Sequence, residues 1–272
     1  MNSSGATPVQ TMKARLSDDI RQRKTASAFM RTEKGTFALR AWGDRYSEYV
    51  ADRFQQALLD EDAVVFDREH LPLLVPGTGL HPGAPSDDAR LLALCHPLLR
   101  REAETNPDVI QLVSGFIVRW QDRYLTYKRS ARLPEARLHG EYSISFGGHL
   151  TPRDLFDTPV WPADPNAVLW NIFDPTNGIQ LLLREFREEL RVEKAPSFTY
   201  RGLLYDDARE VSKQHIAIVY DVDLASPEYS IGERGFLIDA KYETLSEVVE
   251  RANDFENWSQ MIIADECRRV AK

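Results

Sequence analysis

Only two cysteines, Cys95 and Cys267, occur among the 272 residues. Neither a disulfide framework nor a cysteine-based zinc site can be built within one such chain. Any metal must therefore sit on oxygen or imidazole. No apolar run approaches the roughly 20 residues that a membrane helix needs. The N-terminus lacks the basic, then apolar, then small pattern of a signal peptide, so a soluble, cytoplasmic protein with no membrane partner is expected. Gly77, Gly79 and Gly83 sit in a loop but lack the spacing of a dinucleotide-binding fingerprint. There is no internal repeat.

What is present is enough for a full core: 43% of residues are hydrophobic and 28% charged, which rules out disorder. The net charge of −8 hides an asymmetry. Residues 1–42 carry eight basic side chains (Lys13, Arg15, Arg21, Arg23, Lys24, Arg31, Lys34, Arg40) against three acidic ones, or +5, which leaves −13 for the rest. Lys/Arg clusters attract phosphate, whereas an acidic body repels it unless a cation intervenes. The pattern points to nucleic acid for the head and to metal for the body.

Periodicity gives the organisation. Val9, Met12, Leu16 and Ile20 recur at helical spacing, and residues 28–39 read as two short strands around a Gly-containing turn. A connector helix is expected over 44–60, a strand at 63–66, a Pro- and Gly-rich loop over 76–88, and a helix over 87–104 bent at Pro97. Strands follow at 113–120, 124–129 and 141–146. A helix is expected from Asp174, with Pro175 in its first turn, to Val192. Strands at 199–204, 216–222 and 236–239 come next, then a capping box at Thr244 and Glu247 and a final helix over 258–270. Interleaved strands and helices predict an α/β or α+β body.

The strongest chemical signal is Arg184-Glu185-Phe186-Arg187-Glu188-Glu189-Leu190. On a helix, Glu185, Glu188 and Glu189 fall at i, i+3 and i+4 and share a face, while Ile179, Leu183, Phe186 and Leu190 share another. Three convergent carboxylates repel one another, and oxygen-only ligation favours Mg²⁺, Mn²⁺ or Ca²⁺. Taken alone, the heptapeptide reads equally well as a solvated helix face.

Upstream, Gly147-Gly148 makes a glycine turn, and Asp154 follows Gly148 after five residues. Glycine, acid and Arg-Glu-apolar-x-Glu-Glu helix together resemble the box of the Nudix hydrolases. The stretches 138–149, 202–207, 214–220 and 255–260 are similar to a bacterial group of Nudix-type phosphoesterases, so the resemblance covers about residues 106–264. It implies an α/β/α sandwich with a mixed sheet over 106–272, preceded by a helical connector over 43–105. It also implies a hydrolase that cleaves a diphosphate linkage in a nucleotide or related metabolite with Mg²⁺ or Mn²⁺. Glu188 and Glu189 would bind the ion, Glu185 would ligate it or help to activate water, and Arg184 would orient the acids. Gly147 and Gly148 would let backbone approach metal or phosphate.

Three departures stand out. Asp154 is one methylene shorter than the usual Glu. Between it and Arg184 lie 29 residues where the box has seven, an insertion of 22 that acts as a long hinge or as a lid over 155–176. Arg191 stands where a small glycine is usual.

Further candidates carry ordinary alternatives. Asp206, Asp207 or Glu210 would add a carboxylate, or simply make a turn. His149 would touch substrate, or bond to backbone. Lys128 and Arg129 would meet phosphate, or be surface cations. Phe156, Trp161, Trp170 and Phe173 would stack on a base, or cover the core. The head, closest at 27–31 and 35–39, resembles the C-terminal half of the HARE-HTH winged helix. DNA contact through Lys13, Arg15, Arg21, Arg23 and Lys24 is one expectation, packing or protein contact the other. For the whole chain, a catalytically silent nucleotide sensor coupled to this head is the alternative to an enzyme.

Overall fold

The densest apolar stretch of the chain, Val109 to Val118, becomes the spine of the structure. The computed structural model describes residues 7–23, 27–45, 49, 59–83, 92–130, 138–156, 172–173, 175, 178–232 and 237–271. The strands are β1 (Phe29–Glu33), β2 (Thr36–Leu39), β3 (Asp62–Asp67), β4 (Gly79–His81), β5 (His96–Leu99), β6 (Val109–Trp120), β7 (Arg123–Arg129), β8 (Tyr142–Ser143), β9 (Ser145–Phe146), β10 (Leu190–Val192), β11 (Ser197–Tyr205), β12 (His215–Asp223), β13 (Tyr229–Ile231) and β14 (Leu237–Thr244). The helices are α1 (Pro8–Arg23), α2 (Leu71–Leu74), α3 (Arg100–Ala103), α4 (Pro152–Phe156), α5 (Ile179–Glu189), α6 (Glu210–Lys213), α7 (Leu245–Glu250) and α8 (Asn257–Val270). No helix among these residues is long and apolar enough to cross a membrane.

A mixed sheet runs in the order β14-β7-β6-β12-β11-β4, with β3 and β9 also on β6, β8 on β7, and β5 on β3. β6 and β12 pair in parallel through nine residues, from His215 opposite Gln111 to Asp223 opposite Arg119. Both strands are covered on both faces, which explains their near-continuous Val/Ile/Leu texture. Alternation then sorts their side chains. Leu112, Phe116, Ile216 and Ile218 pack with Leu182 and Phe186 of α5. On the other face Val113, Ile117, Ala217 and Val219 meet Val248 of α7, Phe255, and Ile262 and Ile263 of α8. The result is the expected α/β/α sandwich. The capping box at Thr244 and Glu247 is formed, with the Glu247 backbone N–H donating to the Thr244 hydroxyl.

Several expectations need correction. Residues 43–105 are not a helical connector, because β3, β4 and β5 lie there and join the sheet, which therefore begins well before residue 106. Of the helix expected over 87–104, residues 87–91 lie outside the described residues, and His96 to Ala103 form β5 and the single turn of α3 instead. Pro97 is the reason: it lacks an N–H, and β5 pairs only with β3 at an edge, where that loss is tolerated. The expected strand over 141–146 breaks into β8 and β9, which pair with different neighbours. The expected helices over 44–60 and from Asp174 lie largely outside the described residues at those positions. What is described is α5, which starts at Ile179 and ends at Glu189, because Leu190–Val192 leaves to pair with β13. Where Arg191 replaces the usual glycine, the chain exits straight into a strand. Gly232, after β13, packs against the helix end instead; its N–H donates to the Glu189 carbonyl at 2.8 Å, and a Cβ there would collide with the Glu188 carbonyl.

The N-terminal residues form α1 beside the β1–β2 hairpin, turned at Gly35 with φ 79°. Arg31 Nη2 donates to Ser17 Oγ at 2.7 Å, which ties hairpin to helix. Of the apolar stripe on α1, Val9 and Met12 remain exposed.

One polar cluster is fully built into the body. Arg201 on β11 is buried and donates to both Asp221 carboxylate oxygens at 3.0 and 3.1 Å, with Asp265 and Glu266 of α8 each at 2.5 Å. Removing one partner of such a set strands the remaining charges. Arg201→Met should therefore cost about 3 kcal/mol in urea unfolding, while divalent-cation binding by the refolded protein stays unchanged.

Candidate functional site

Helix α5 presents two buried stripes. Leu182 and Phe186 enter the core, with Phe186 edge-on to Phe116 and Phe198, each at 5.2 Å. The neighbouring stripe is Leu181, Glu185 and Glu189, spaced four apart and all buried. Glu188 lies at its rim, with its side chain 53% exposed. The three acids thus gather along one edge of the helix, two inside and one at the mouth.

Arg184 holds this group in place. Its Nε donates to Asp154 Oδ1 at 2.6 Å and its Nη2 to Asp154 Oδ2 at 2.5 Å, a two-pronged pairing. The same guanidinium reaches Glu185 at 2.5 Å and Glu188 at 2.8 Å. Asp154 is buried at the start of α4 and also accepts from the Thr151 N–H at 2.7 Å and hydroxyl at 3.0 Å. The shorter acid thus reaches its arginine across the 29 intervening residues. Asp154 acts as an anchor here and does not line the neighbouring cavity.

The glycine turn closes the other side. Gly147 has φ 137°, and a Cβ there would collide with the Ser114 carbonyl. A Cβ on Gly148 would lie 2.6 Å from Glu185 Oε2, so this glycine leaves room for the carboxylate itself. Ser114 fixes the turn, its N–H donating to the Gly148 carbonyl at 2.9 Å. Between turn, α5 and α8 lies a cavity of about 210 Å³ whose walls include Glu185, Glu188 and Glu189. Val219, Leu204, Ile262 and Trp258 supply an apolar wall, and Gly115 and Ala217 keep the floor low.

Burial pushes the Glu185 carboxyl up to about 8; Arg184 pulls it down, and Glu188 and Asp154 push it further up. One guanidinium thus faces three carboxylates at once. Offering oxygen alone, Glu185, Glu188 and Glu189 suit a hard divalent ion such as Mg²⁺ or Mn²⁺.

Strand alternation separates Lys128 from Arg129. Arg129 and Tyr127 line the cavity, and for Arg129 the cost of burial is outweighed by Tyr127, Glu256, Glu189 and Glu141, which keep it charged. Lys128 points to the opposite face, over the Tyr142 ring at 5.6 Å, and belongs to no wall of the cavity. Asp206, Asp207 and Glu210 make turn and ion-pair contacts away from it: Asp206 accepts from Asn257 and the Ala208 N–H, Asp207 from Thr78, and Glu210 from Lys213. Phe173 belongs to the core. Trp161 and Trp170 lie outside the described residues, as does the side chain of Phe156.

Among the described residues the His149 ring meets side chains rather than backbone. Its Nε2 lies 3.0 Å from Nε2 of His215 on β12, and 3.9 Å from Glu104 Oε1 just after α3. All three line the same cavity. Nothing in the sequence pairs His215 or Glu104 with His149, because no local spacing links residues 66 and 45 positions away from it. Burial, then Arg100, His215 and Arg129, hold the His149 imidazole well below its ordinary value, so it is neutral.

No family model matches the sequence. Among characterised proteins the chain is similar to protein YmaB of Bacillus subtilis (strain 168), 27% identical over 179 residues that span 64% of this chain and 80% of YmaB. Among solved structures it is similar to Tm1382, a candidate Nudix hydrolase, with a TM-score of 0.56 and 21% identity over 75% of this chain and 97% of that one. The chain has the fold of that protein.

The raised Glu185 carboxyl generates a pH prediction for the metal-free protein. Its folded value of about 8 lies above the ordinary 4.5, so the folded state keeps a proton that the unfolded state releases. Stability is therefore full below the ordinary value and falls as pH rises through this window. Glu185→Gln should remove that loss, a relative gain of up to ~1.4 kcal/mol per pH unit across the window, read by urea unfolding at pH 5 to 8.5. Mg²⁺, which selects the ionised acid, should stabilise wild type more at pH 8 than at pH 5.

Proposed function

We propose that this chain is a divalent-metal-dependent hydrolase that cleaves a diphosphate linkage in a nucleotide or related metabolite. The observation that carries the reading is that Glu185, Glu188, Glu189 and the Gly147–Gly148 turn line one cavity, with Glu185 against Gly148 and Arg184 tied to Asp154. The fold shared with Tm1382 supports it. So does the resemblance of these residues to the Nudix box, which implies a metal at these carboxylates.

A divalent ion bound there lowers the pKa of water and neutralises diphosphate oxygens. The chain's own groups do the rest. Arg184 keeps the carboxylates turned toward the cavity. Glu185, whose carboxylate faces the cavity beside Gly148, can accept a proton from an attacking water once it is ionised. Arg129 offers a charged guanidinium to a phosphate oxygen from the cavity wall. Trp258, Leu204, Val219 and Ile262 exclude water and present an apolar wall to a base or comparable flat group. The buried Trp258 Nε1–H, with no acceptor among the described residues, is available to a substrate carbonyl or ring nitrogen.

The test is a panel of nucleoside triphosphates and nucleoside diphosphate conjugates, assayed for cleavage with Mg²⁺ and with Mn²⁺. Wild type should turn over at least one class, fall at least about a hundredfold in Glu189→Gln and lose activity in EDTA. Gly148→Ala, which presses a methyl on Glu185, should lose turnover as fully while Lys128→Ala leaves it intact. Nucleotide binding without cleavage across the panel would overturn the hydrolytic reading in favour of a sensor.

A further inference from the structure

We infer that Glu104, His149 and His215 form a second metal site in the same cavity, one that takes a transition-metal ion of the Zn²⁺ class. It is chemically separate from the oxygen-only set on α5 and does not rest on the hydrolase reading. The ligand atoms of the three residues lie within 4.8 Å of one another.

The geometry is close to a liganded one. Two imidazole nitrogens each about 2.1 Å from one ion stand about 3.0 Å apart at a right angle and about 3.4 Å apart at the tetrahedral angle. The two Nε2 atoms are 3.0 Å apart. His215 is already oriented for ligation, because its Nδ1–H donates to the Val211 carbonyl at 2.6 Å and so turns the Nε2 lone pair toward His149. Fixing the far nitrogen on a carbonyl is how ligating histidines are commonly aimed. In the metal-free protein His149 donates its Nε2–H to that lone pair. An ion replaces this proton and leaves both rings neutral, at the cost of one tautomer change.

Charge favours a cation there despite Arg100, whose Nε lies 3.4 Å from Glu104 Oε1. Glu61 and Asp62 also line the cavity, so three acids, Glu104, Glu61 and Asp62, stand there against Arg100 and Arg129. A further observation points to a missing polar partner. Gln111, in register with His215 on the neighbouring strand and fully buried, has neither amide atom hydrogen-bonded among the described residues. A hydrated ion at the histidine pair would bring a water to that side. The donor set, two imidazoles and a carboxylate, suits Zn²⁺ or Fe²⁺ better than Mg²⁺, and leaves a fourth position open to the cavity.

The full-length chain, stripped with chelator, is dialysed against micromolar Zn²⁺ and its metal content measured. The background is Glu185→Gln/Glu188→Gln/Glu189→Gln, which removes the carboxylate set and keeps its shape. That variant should retain one equivalent of Zn²⁺. Adding Glu104→Gln should weaken uptake about tenfold or more, and adding His149→Ala should abolish it. Co²⁺ in place of Zn²⁺ should give visible d–d absorption that disappears with either change. If His149→Ala fails to fold, Glu104→Gln, at a partly exposed position, still decides the matter. No Zn²⁺ uptake by the triple variant, or uptake unchanged by Glu104→Gln, overturns the inference.

Discussion

The pairing of Arg184 with Asp154 is the constraint on which the site depends. A guanidinium with two parallel donors can satisfy one carboxylate and still meet two others at its remaining edge, and here it meets Glu185 and Glu188. That geometry converts a cluster of like charges, which would otherwise splay apart, into a fixed array. Lysine would not substitute, because a point charge lacks the planar fork that locks Asp154 while keeping the other acids in reach.

The sandwich supplies what the arginine cannot. Phe186 fixes the roll of the helix through two edge-on ring contacts, so Glu185 and Glu189 face inward whenever the core is packed. Ser114, on the central strand, fixes the glycine turn opposite. The parallel β6–β12 pair then brings His215 beside the residue that follows that turn. One rigid strand thus positions both ends of the cavity, the carboxylate end through Gly148 and the imidazole end through His149.

Much of this was legible in the sequence. The Arg184–Leu190 heptapeptide has one geometry on a helix, and a Gly148 separated from Asp154 by five residues has few structural uses. The pattern misled where local texture and tertiary pairing compete. His96 to Leu99 looks helical, but Pro97 suits an edge strand and β3 offers one. Leu190 to Val192 continues a helical pattern, but β13 captures it. Lys128 and Arg129 are indistinguishable as cations until strand alternation decides which one faces inward. Glu104 and His215 carried no signal, because no local spacing records which strands will become neighbours.

The anchoring of Asp154 to Arg184 has an evolutionary consequence. Because Asp154 and Arg184 are joined by a salt bridge of their own, the stretch between Phe156 and the core residues Ile172 and Phe173 can lengthen, shorten or change composition without transmitting that change to the acids. Selection is left free to rewrite that stretch as an exchangeable cassette, while the acids inherit the same coordinates from one descendant to the next.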